Sequence, residues 1–438
     1  MTKRTTLFFV AALSTADLLR GQTTGQGSIS FGSYVSLGDS LASGFVSGSL
    51  VETHQARSVP ALLARQAQVA DFQQPLVAEP GIPPELTLVN LLPAAVIAPK
   101  AATSGAPRNL ALGRAYNNLA VPGATSVDAL TRTTDAGGFH DLILRGRGTQ
   151  VAQAASLGPS FVTLWIGNND VLGAAVRGRA IDGVTMTPAA TFRTVYQGIV
   201  DALKATGARV VAANLPDVTT VPFVSTIPPV VINPSTRQPL LVNGQLVPLM
   251  GPSGPLPSGS KVTLAAATLL AQGIGIPASL GGRATISEGV CTGCLPDDVV
   301  LDPAELTAIR DRVTANNQAI RDICQAAQVP LLDINALLQE LATSGRDIGG
   351  VTLTSSFLSG GIFSYDGIHP TELGYAVIAN EWIKVINANG GSLPEVDLLP
   401  FLGLGLSARP AALEAGPVEF SAQAWEALLR VFPTLDQR

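Results

Sequence analysis

The sequence is poor in charge, in histidine and in cysteine. Charged residues make up 13% of the 438 residues against 46% hydrophobic ones, and the net charge is −5. A chain this apolar can bury a large core, which argues against intrinsic disorder. A chain with a negative net charge lacks the basic surface that binds nucleic acid, so we expect no nucleic-acid partner. No apolar run approaches the roughly 18 residues that a membrane-spanning helix needs.

Only three histidines are present: His54, His140 and His369. A dinuclear metal centre consumes several histidines, and two of these three lie outside any ligand motif. We therefore expect neither a metal nor another cofactor. The Gly-x-Ser-x-Gly elbow of the α/β-hydrolases is also absent, which argues against that fold family.

The three cysteines are Cys291, Cys294 and Cys324. The first two form a Cys-x-x-Cys pair without the second pair of ligands that a zinc ribbon requires. If the protein is exported, a local disulfide within this proline- and glycine-rich stretch is the favoured interpretation. Cys324 lies at helical spacing from Ile320 and is expected to be a buried apolar residue.

The N-terminus has the order of a secretory signal. Lys3 and Arg4 precede an apolar stretch at residues 7–13, and small residues follow at 14–16. This pattern predicts a signal peptide and leader over residues 1–33, and hence a protein of the periplasm or the extracellular space. An amphipathic N-terminal helix is the alternative.

Strand and helix signals alternate along the chain. Short apolar strands are predicted at residues 34–37, 115–118, 161–166, 209–213 and 329–334, and helices at 59–69, 188–206, 303–327 and 371–386. This order predicts a three-layer α/β/α sandwich with a central parallel sheet. Ligands of such folds bind outside the carboxyl ends of the strands.

Two long stretches interrupt this alternation, at about residues 72–108 and 222–302. Loops this long usually carry function, so lids or walls of an acyl pocket are expected, with simple elaboration of the fold as an equal alternative. The C-terminal tail, residues 398–438, contains an amphipathic helix at 422–431. We expect that helix to pack on the core, although it could instead contact a membrane or a partner.

Residues 38–41, Gly-Asp-Ser-Leu, place Ser40 directly after the first predicted strand. Far downstream, Asp366 and His369 stand three residues apart. A nucleophile, a base and an orienting acid are thus all available. Each residue alone has a plainer interpretation, because Ser40 could cap a helix and His369 could be a surface residue.

Two further motifs lie between these: residues 118–123, Asn-Leu-Ala-Val-Pro-Gly, and residues 167–170, Gly-Asn-Asn-Asp. With all four in this order, the chain resembles the GDSL or SGNH hydrolases, a family of serine esterases and lipases. The resemblance covers roughly residues 34–386. It implies the flavodoxin-like SGNH fold, with a hydrolase domain at residues 34–397 that contains both insertions.

The resemblance also implies roles for individual residues. Ser40 would be the nucleophile, His369 the base and Asp366 the acid of a catalytic triad. The backbone N–H groups of Ser40 and Gly123 and the side-chain amide of Asn169 would form the oxyanion hole. A further residue, Asp39, either supports the nucleophile turn or merely caps it.

These expectations define a carboxylic ester hydrolase that forms an acyl-enzyme on Ser40. A small-molecule or lipid ester is the expected substrate, and the apolar insertions favour acyl chains. Peripheral contact with lipid is compatible with this interpretation, and the sequence predicts no oligomeric state. The alternatives are a carbohydrate O-deacetylase of the same family and a secreted binding protein that lacks catalysis.

The cysteine spacing yields a first prediction. We expect mass spectrometry of the exported, unreduced protein to find the peptide with Cys291 and Cys294 lighter than its dithiol form by two hydrogen atoms. Cys324 serves as the internal control, because it should react with an alkylating reagent after unfolding without reduction. Alkylation of all three cysteines under those conditions would contradict the disulfide.

Overall fold

The computed structural model describes residues 28–90, 94–405 and 418–435. Of the predicted signal peptide and leader at residues 1–33, residues 1–27 lie outside the described residues. None of the described helices is both long and apolar enough to cross a membrane.

The strands of the described ranges are, in chain order, β1 (Tyr34–Gly38), β2 (Leu86–Asn90), β3 (Ala95–Pro99), β4 (Phe161–Trp165), β5 (Arg209–Ala213), β6 (Leu241–Val242), β7 (Gln245–Leu246), β8 (Met250–Gly251), β9 (Gly254–Pro255), β10 (Lys261–Val262), β11 (Thr285–Ser287), β12 (Val290–Thr292), β13 (Val300–Leu301), β14 (Leu331–Leu332), β15 (Arg346–Ile348), β16 (Val351–Leu353) and β17 (Val418–Phe420).

The α-helices are α1 (Ser40–Ser43), α2 (Glu52–Gln55), α3 (Val59–Gln66), α4 (Ser126–Thr131), α5 (Phe139–Leu144), α6 (Gln150–Ser156), α7 (Asn169–Val176), α8 (Ala189–Ala205), α9 (Pro222–Ser225), α10 (Ala267–Ala271), α11 (Pro303–Ala326), α12 (Ile334–Thr343), α13 (Glu372–Ala388), α14 (Leu399–Gly405) and α15 (Ala422–Val431).

The central sheet has the strand order β1-β4-β5-β14, and every pairing in it is parallel. All residues of β1 and β4 are buried, as expected for strands covered by helices on both faces. Helix α3 packs against α13, whereas α8 packs against α4, α6 and α11. This arrangement confirms the predicted α/β/α fold with a central parallel sheet.

The predicted strand at residues 115–118 is wrong. The segment runs beside β1 and makes one parallel bridge, Ser36 to Asn118, but forms no regular strand. The reason lies in its asparagines, whose side chains bind backbone groups of β1 and of the chain just after the segment. Asn117 donates to the carbonyl oxygen of Tyr34 at 2.9 Å, and Asn118 accepts from the N–H of Ala120 at 3.1 Å. Such bonds compete with a regular ladder.

The predicted strand at residues 329–334 is real but shorter, since only Leu331 and Leu332 pair with β5. Asp333 ends it by capping helix α12, where its carboxylate accepts from the N–H of Ala336 at 3.0 Å. An N-cap aspartate satisfies a backbone N–H group that the first helical turn leaves free.

The two insertions fold differently. Residues 72–108 contain the antiparallel hairpin β2–β3. Residues 222–302 build short hairpins around a second, smaller core that includes Val231, Leu249 and Val262. A disulfide joins Cys291 and Cys294 at the end of the hairpin β11–β12, and Cys324 is buried with a free thiol.

An ionic network ties the first insertion to the start of helix α13. The Nδ1 atom of His54 lies 2.7 Å from Oε1 of Glu372, and its Nε2 atom lies 2.8 Å from Oε1 of Glu85. Burial works against a charged imidazole, but the two carboxylates outweigh it and raise the pKa of His54 to about 9. Because Glu372 stands three residues after His369, this network fixes the chain beside the candidate base.

The second prediction concerns this histidine. The pKa of His54 is raised on folding from an ordinary value of about 6.5, so its contribution to stability is full below about pH 6.5 and disappears as pH rises through about 9. We expect the wild type to lose about 3 kcal/mol of unfolding free energy over this range through His54.

Urea unfolding at several pH values, for the wild type and His54→Gln, measures this term. The variant should be less stable at pH 6 and should depend less on pH between 6.5 and 9.5. Parallel pH profiles for the two proteins would show that His54 does not hold a proton in the folded state.

Candidate active site

The serine of the first motif, Ser40, lies at the carboxyl end of strand β1, at the edge of the central sheet. Strand β1 ends at Gly38, and helix α1 begins at Ser40. Asp39 caps this helix, because its Oδ1 atom accepts from the N–H of Leu41 at 3.1 Å. A Cβ atom on Gly38 would fall 2.6 Å from the carbonyl oxygen of Trp165, so only glycine allows this close approach of β1 to β4.

The candidate acid and the candidate base lie on the loop that precedes helix α13. Oδ2 of Asp366 is 2.7 Å from Nδ1 of His369, and both side chains are fully buried. The same carboxylate accepts backbone N–H bonds from Gly48 at 2.7 Å, Ile368 at 2.9 Å and His369 at 2.8 Å. Burial opposes ionisation of Asp366, but the imidazole and these donors outweigh it and lower its pKa.

An ionised Asp366 determines which nitrogen of the imidazole holds the proton. The carboxylate can only accept, so Nδ1 of His369 donates to it and Nε2 carries the lone pair. The Nε2 atom is buried and has no hydrogen-bond partner in the described ranges. His369 therefore presents an unpaired basic nitrogen, as a general base requires.

Ser40 and His369 border the same small cavity of about 30 Å³. No hydrogen bond joins the Ser40 hydroxyl to the imidazole within the part of the chain that the structure describes. The other lining residues include one polar side chain, Asn168, and are mostly apolar: Leu41, Trp165, Leu172, Val218, Val221, Phe363 and Ile368. The candidate nucleophile and the candidate base thus share a mostly apolar space.

The two other candidate donors of the oxyanion hole lie close to each other. Nδ2 of Asn169 donates to the carbonyl oxygen of Ala124 at 2.9 Å, directly after Gly123 in the chain. Gly123 has a φ of +80°, a left-handed conformation that favours glycine. Asp170 ties this corner to helix α4 by accepting from the N–H and the hydroxyl of Ser126, each at 2.8 Å.

Asn168 has a role that the sequence did not indicate. Its Nδ2 atom donates to Oδ2 of Asp39 at 2.8 Å, so it joins the turn of Ser40 to the turn of Asn169. Asp39 is fully buried, and burial raises its pKa to about 7. The signal for this contact was weak, since only the position of Asn168 within the third motif pointed to the site.

The amino-acid sequence matches a known protein family over most of its length. A sequence model of the GDSL-like Lipase/Acylhydrolase family matches residues 34–382. The chain belongs to this family. Membership in a family of lipases and acylhydrolases makes the chain a hydrolase of this type and supports an ester-hydrolysing function. A search of the curated proteins found no match.

The chain also has low-identity similarity to several solved structures. Phospholipase A1 from Streptomyces albidoflavus is 14% identical, with 82% of this chain and 100% of that chain covered and a TM-score of 0.33. An extracellular lipase from Streptomyces rimosus is 14% identical, with 81% and 98% covered and a TM-score of 0.34. The lipase/acylhydrolase from Enterococcus faecalis is 14% identical, with 64% and 77% covered and a TM-score of 0.27.

Within the described residues, no group of three or more His, Cys, Asp and Glu side chains is placed to hold a metal ion. His54 and His140 lie in ionic contacts with Glu85, Glu372 and Asp135, apart from the cavity beside Ser40.

The contact between Asp39 and Asn168 generates the third prediction. Asn168→Ala removes the side-chain donor of a buried carboxyl group, so the free energy of unfolding should fall by about 1–3 kcal/mol. Esterase activity should also fall, because the turn that carries Ser40 loses the hydrogen bond between Asp39 and Asn168.

Urea unfolding measures the stability term, with Asn316→Ala as a matched control. Asn316 is also buried, but its carboxamide atoms have no hydrogen-bond partner within the described ranges. The double variant Asp39→Ala/Asn168→Ala should cost less than the sum of the single changes. Strict additivity would refute an energetic coupling between the two side chains.

Proposed function

We propose that this protein hydrolyses carboxylic esters through a covalent acyl-enzyme on Ser40. One observation carries the proposal: the buried Asp366–His369 pair leaves Nε2 of the imidazole unpaired on the cavity that Ser40 also borders. Membership in the family supplies the reaction class, and this geometry supports the assignment of roles.

In the first half-reaction, Nε2 of His369 accepts the proton of the Ser40 hydroxyl while Oγ attacks the ester carbonyl carbon. The tetrahedral intermediate then expels the alcohol, which takes the proton from the imidazolium, and the acyl group remains on Oγ. In the second half-reaction, water repeats these steps and releases the carboxylic acid. Atoms and protons balance without any additional reactant.

Asp366 acts through His369. A carboxylate that stays ionised at the Nδ1 side keeps the lone pair on Nε2 and stabilises the imidazolium formed after proton transfer. The backbone donors from Gly48, Ile368 and His369 hold this carboxylate in place, so the imidazole cannot rotate without losing its partner.

The negatively charged oxygen of the tetrahedral intermediate requires hydrogen-bond donors on the side of the site opposite His369. The backbone N–H groups of Ser40 and Gly123 and the amide of Asn169 are the proposed set. Asn169 uses one of its two N–H bonds on Ala124, and that contact orients the amide group. Each such donor contributes about 2.7–4 kcal/mol of transition-state stabilisation in acyl-transfer enzymes.

The lining of the cavity bears on the substrate. Apolar side chains such as Leu172, Val218 and Phe363 line the cavity that Ser40 also borders, and they suit a hydrocarbon chain better than a sugar. We therefore assign the acyl side of the substrate to an apolar carboxylic acid, in a small-molecule or lipid ester.

Export of the protein is part of the same proposal. The basic and apolar order of residues 3–16 supports a secretory signal, and the disulfide between Cys291 and Cys294 suits an oxidising compartment.

The fourth prediction tests the reaction. The wild type should hydrolyse p-nitrophenyl esters with activity that rises from acetate toward longer acyl chains, and Ser40→Ala should be inactive while keeping its folded circular-dichroism spectrum. Ser156→Ala provides a matched control, because Ser156 lies on the exposed side of helix α6 and should leave activity unchanged.

Turnover that survives in Ser40→Ala would overturn the proposed nucleophile. Activity confined to the acetate ester would instead assign the protein to deacetylation. Inactive wild-type protein across the whole series would favour a binding protein on this fold.

A further inference from the structure

One segment outside the family motifs lies against the candidate active site. Residues 418–435, here called the C-terminal cover, comprise strand β17, helix α15 and the residues that follow it. None of the four motifs of the family lies in this segment, and the family match ends at residue 382. Its position therefore needs a separate explanation.

The cover is anchored first through strand pairing. Strand β17 adds to β3 in parallel, with Glu419 opposite Val96 and Phe420 opposite Ile97. The N–H of Ser421 donates to the carbonyl oxygen of Ile97 at 3.0 Å, and the Thr268 hydroxyl donates to the carbonyl oxygen of Phe420. Both insertions thus hold the beginning of the cover.

One apolar face of helix α15 packs against the hydrolase core. Ala424, Leu428 and Val431 are buried at the helical spacing of four and three residues. The indole of Trp425 stacks on Phe223, with ring centroids 5.7 Å apart and planes at 15°.

The end of this helix reaches the candidate base and an oxyanion donor. The ring of Phe432 stacks on the imidazole of His369, at 6.0 Å and 11°. The carbonyl oxygen of Val431 lies so close to Gly123 that a Cβ atom there would be 2.2 Å from it. The guanidinium of Arg177 fixes this end with two bonds to the carbonyl oxygen of Phe432, at 3.0 and 3.2 Å.

The candidate site in this structure has no room for an ester. Ser40 is 2% exposed, and Asp366 and His369 are 0% exposed. The cavity between them measures about 30 Å³. A space of that size accommodates about one water molecule. Substrate can therefore enter only after a covering element has moved. The cover contacts His369 through Phe432 and Gly123 through Val431.

We propose that the C-terminal cover occupies the cleft in which the acyl chain of the substrate binds, and that the enzyme takes apolar acyl esters only when the cover has moved away. The inference rests on the proposed function, because it assigns the acyl part of the same site. The chemistry of the cover indicates which ligand the cleft takes. Its side chains between Trp425 and Phe432 are aromatic or aliphatic where they meet the core, as an acyl chain would be.

A reversible crosslink tests the cover in the full-length chain. Val96 and Glu419 are paired neighbours, and Cα atoms of adjacent strands stand about 4.8 Å apart, a separation that a disulfide spans. The variant Val96→Cys/Glu419→Cys should lock β17 onto β3 when oxidised and release it when reduced. Glu419→Cys alone and the wild type, under the same oxidant and reductant, control for the native disulfide.

The readout is labelling by a fluorophosphonate, which forms a bond to an activated serine oxygen and expels fluoride. Its rate depends on the fraction of molecules with an uncovered site, so oxidation of the double variant should slow it by at least roughly tenfold. Arg177→Gln should speed labelling, whereas its neighbour Arg179→Gln, with an exposed side chain, should not. Equal rates in the oxidised and reduced double variant would overturn the proposal.

A binding measurement separates this inference from the proposed chemistry. With Ser40→Ala added to the crosslinkable variant, a fluorescent fatty acid such as dansyl-undecanoate should bind in the reduced state and much more weakly in the oxidised state. If that result were obtained and the wild type hydrolysed no ester, the proposal for the cover would stand. The proposed esterase reaction would then be refuted. Equal binding in both states, or no binding in either, would refute the acyl cleft.

Discussion

The parallel pairing of β1 with β4 is the constraint on which the candidate site depends. It aligns Gly38 with Trp165, so both strands end at the same edge of the sheet and the turns that follow them become neighbours. The first turn carries Ser40 and the second carries Asn168 and Asn169. The contact between Asp39 and Asn168 then joins the turns directly. A shift of one residue in this register would move the candidate nucleophile relative to the candidate oxyanion donor by about 3.3 Å.

The candidate acid and the candidate base reach this edge of the sheet from a distant part of the sequence. Their loop is held by backbone donors to Asp366 and by the ionic network at Glu372, which reaches back to His54 and to the first insertion. Several polar atoms around the cavity remain without partners in the described ranges, among them Nε2 of His369 and Oδ1 of Asn168. Buried polar atoms of this kind lower stability, and they concentrate where a substrate or a transition state would satisfy them.

The sequence predicted the fold and most long elements, because buried parallel strands and amphipathic helices leave strong apolar patterns. Strand β5 and helix α15 have the predicted bounds, and the helix starting at Pro303 ends within one residue of its predicted end. The prediction for residues 115–118 was wrong because the side chain of Asn117 binds the carbonyl oxygen of Tyr34. The apolar content of the segment cannot reveal such a side-chain bond. Short helices such as α4, which has six residues, span fewer than two turns and leave only a weak amphipathic pattern. The contact of Phe432 with His369 joins residues 63 positions apart, and no local pattern encodes such a contact.

The short strand β14 has a consequence for how the protein behaves in solution. Only Leu331 and Leu332 pair at that edge of the central sheet, and helix α12 begins at Ile334. At the opposite edge, the irregular segment that includes Asn117 and Leu119 already bonds to Ser36 of β1. A second molecule would therefore find no long, flat row of free backbone groups at either edge. Both margins of the sheet are protected against the strand-to-strand addition that begins aggregation.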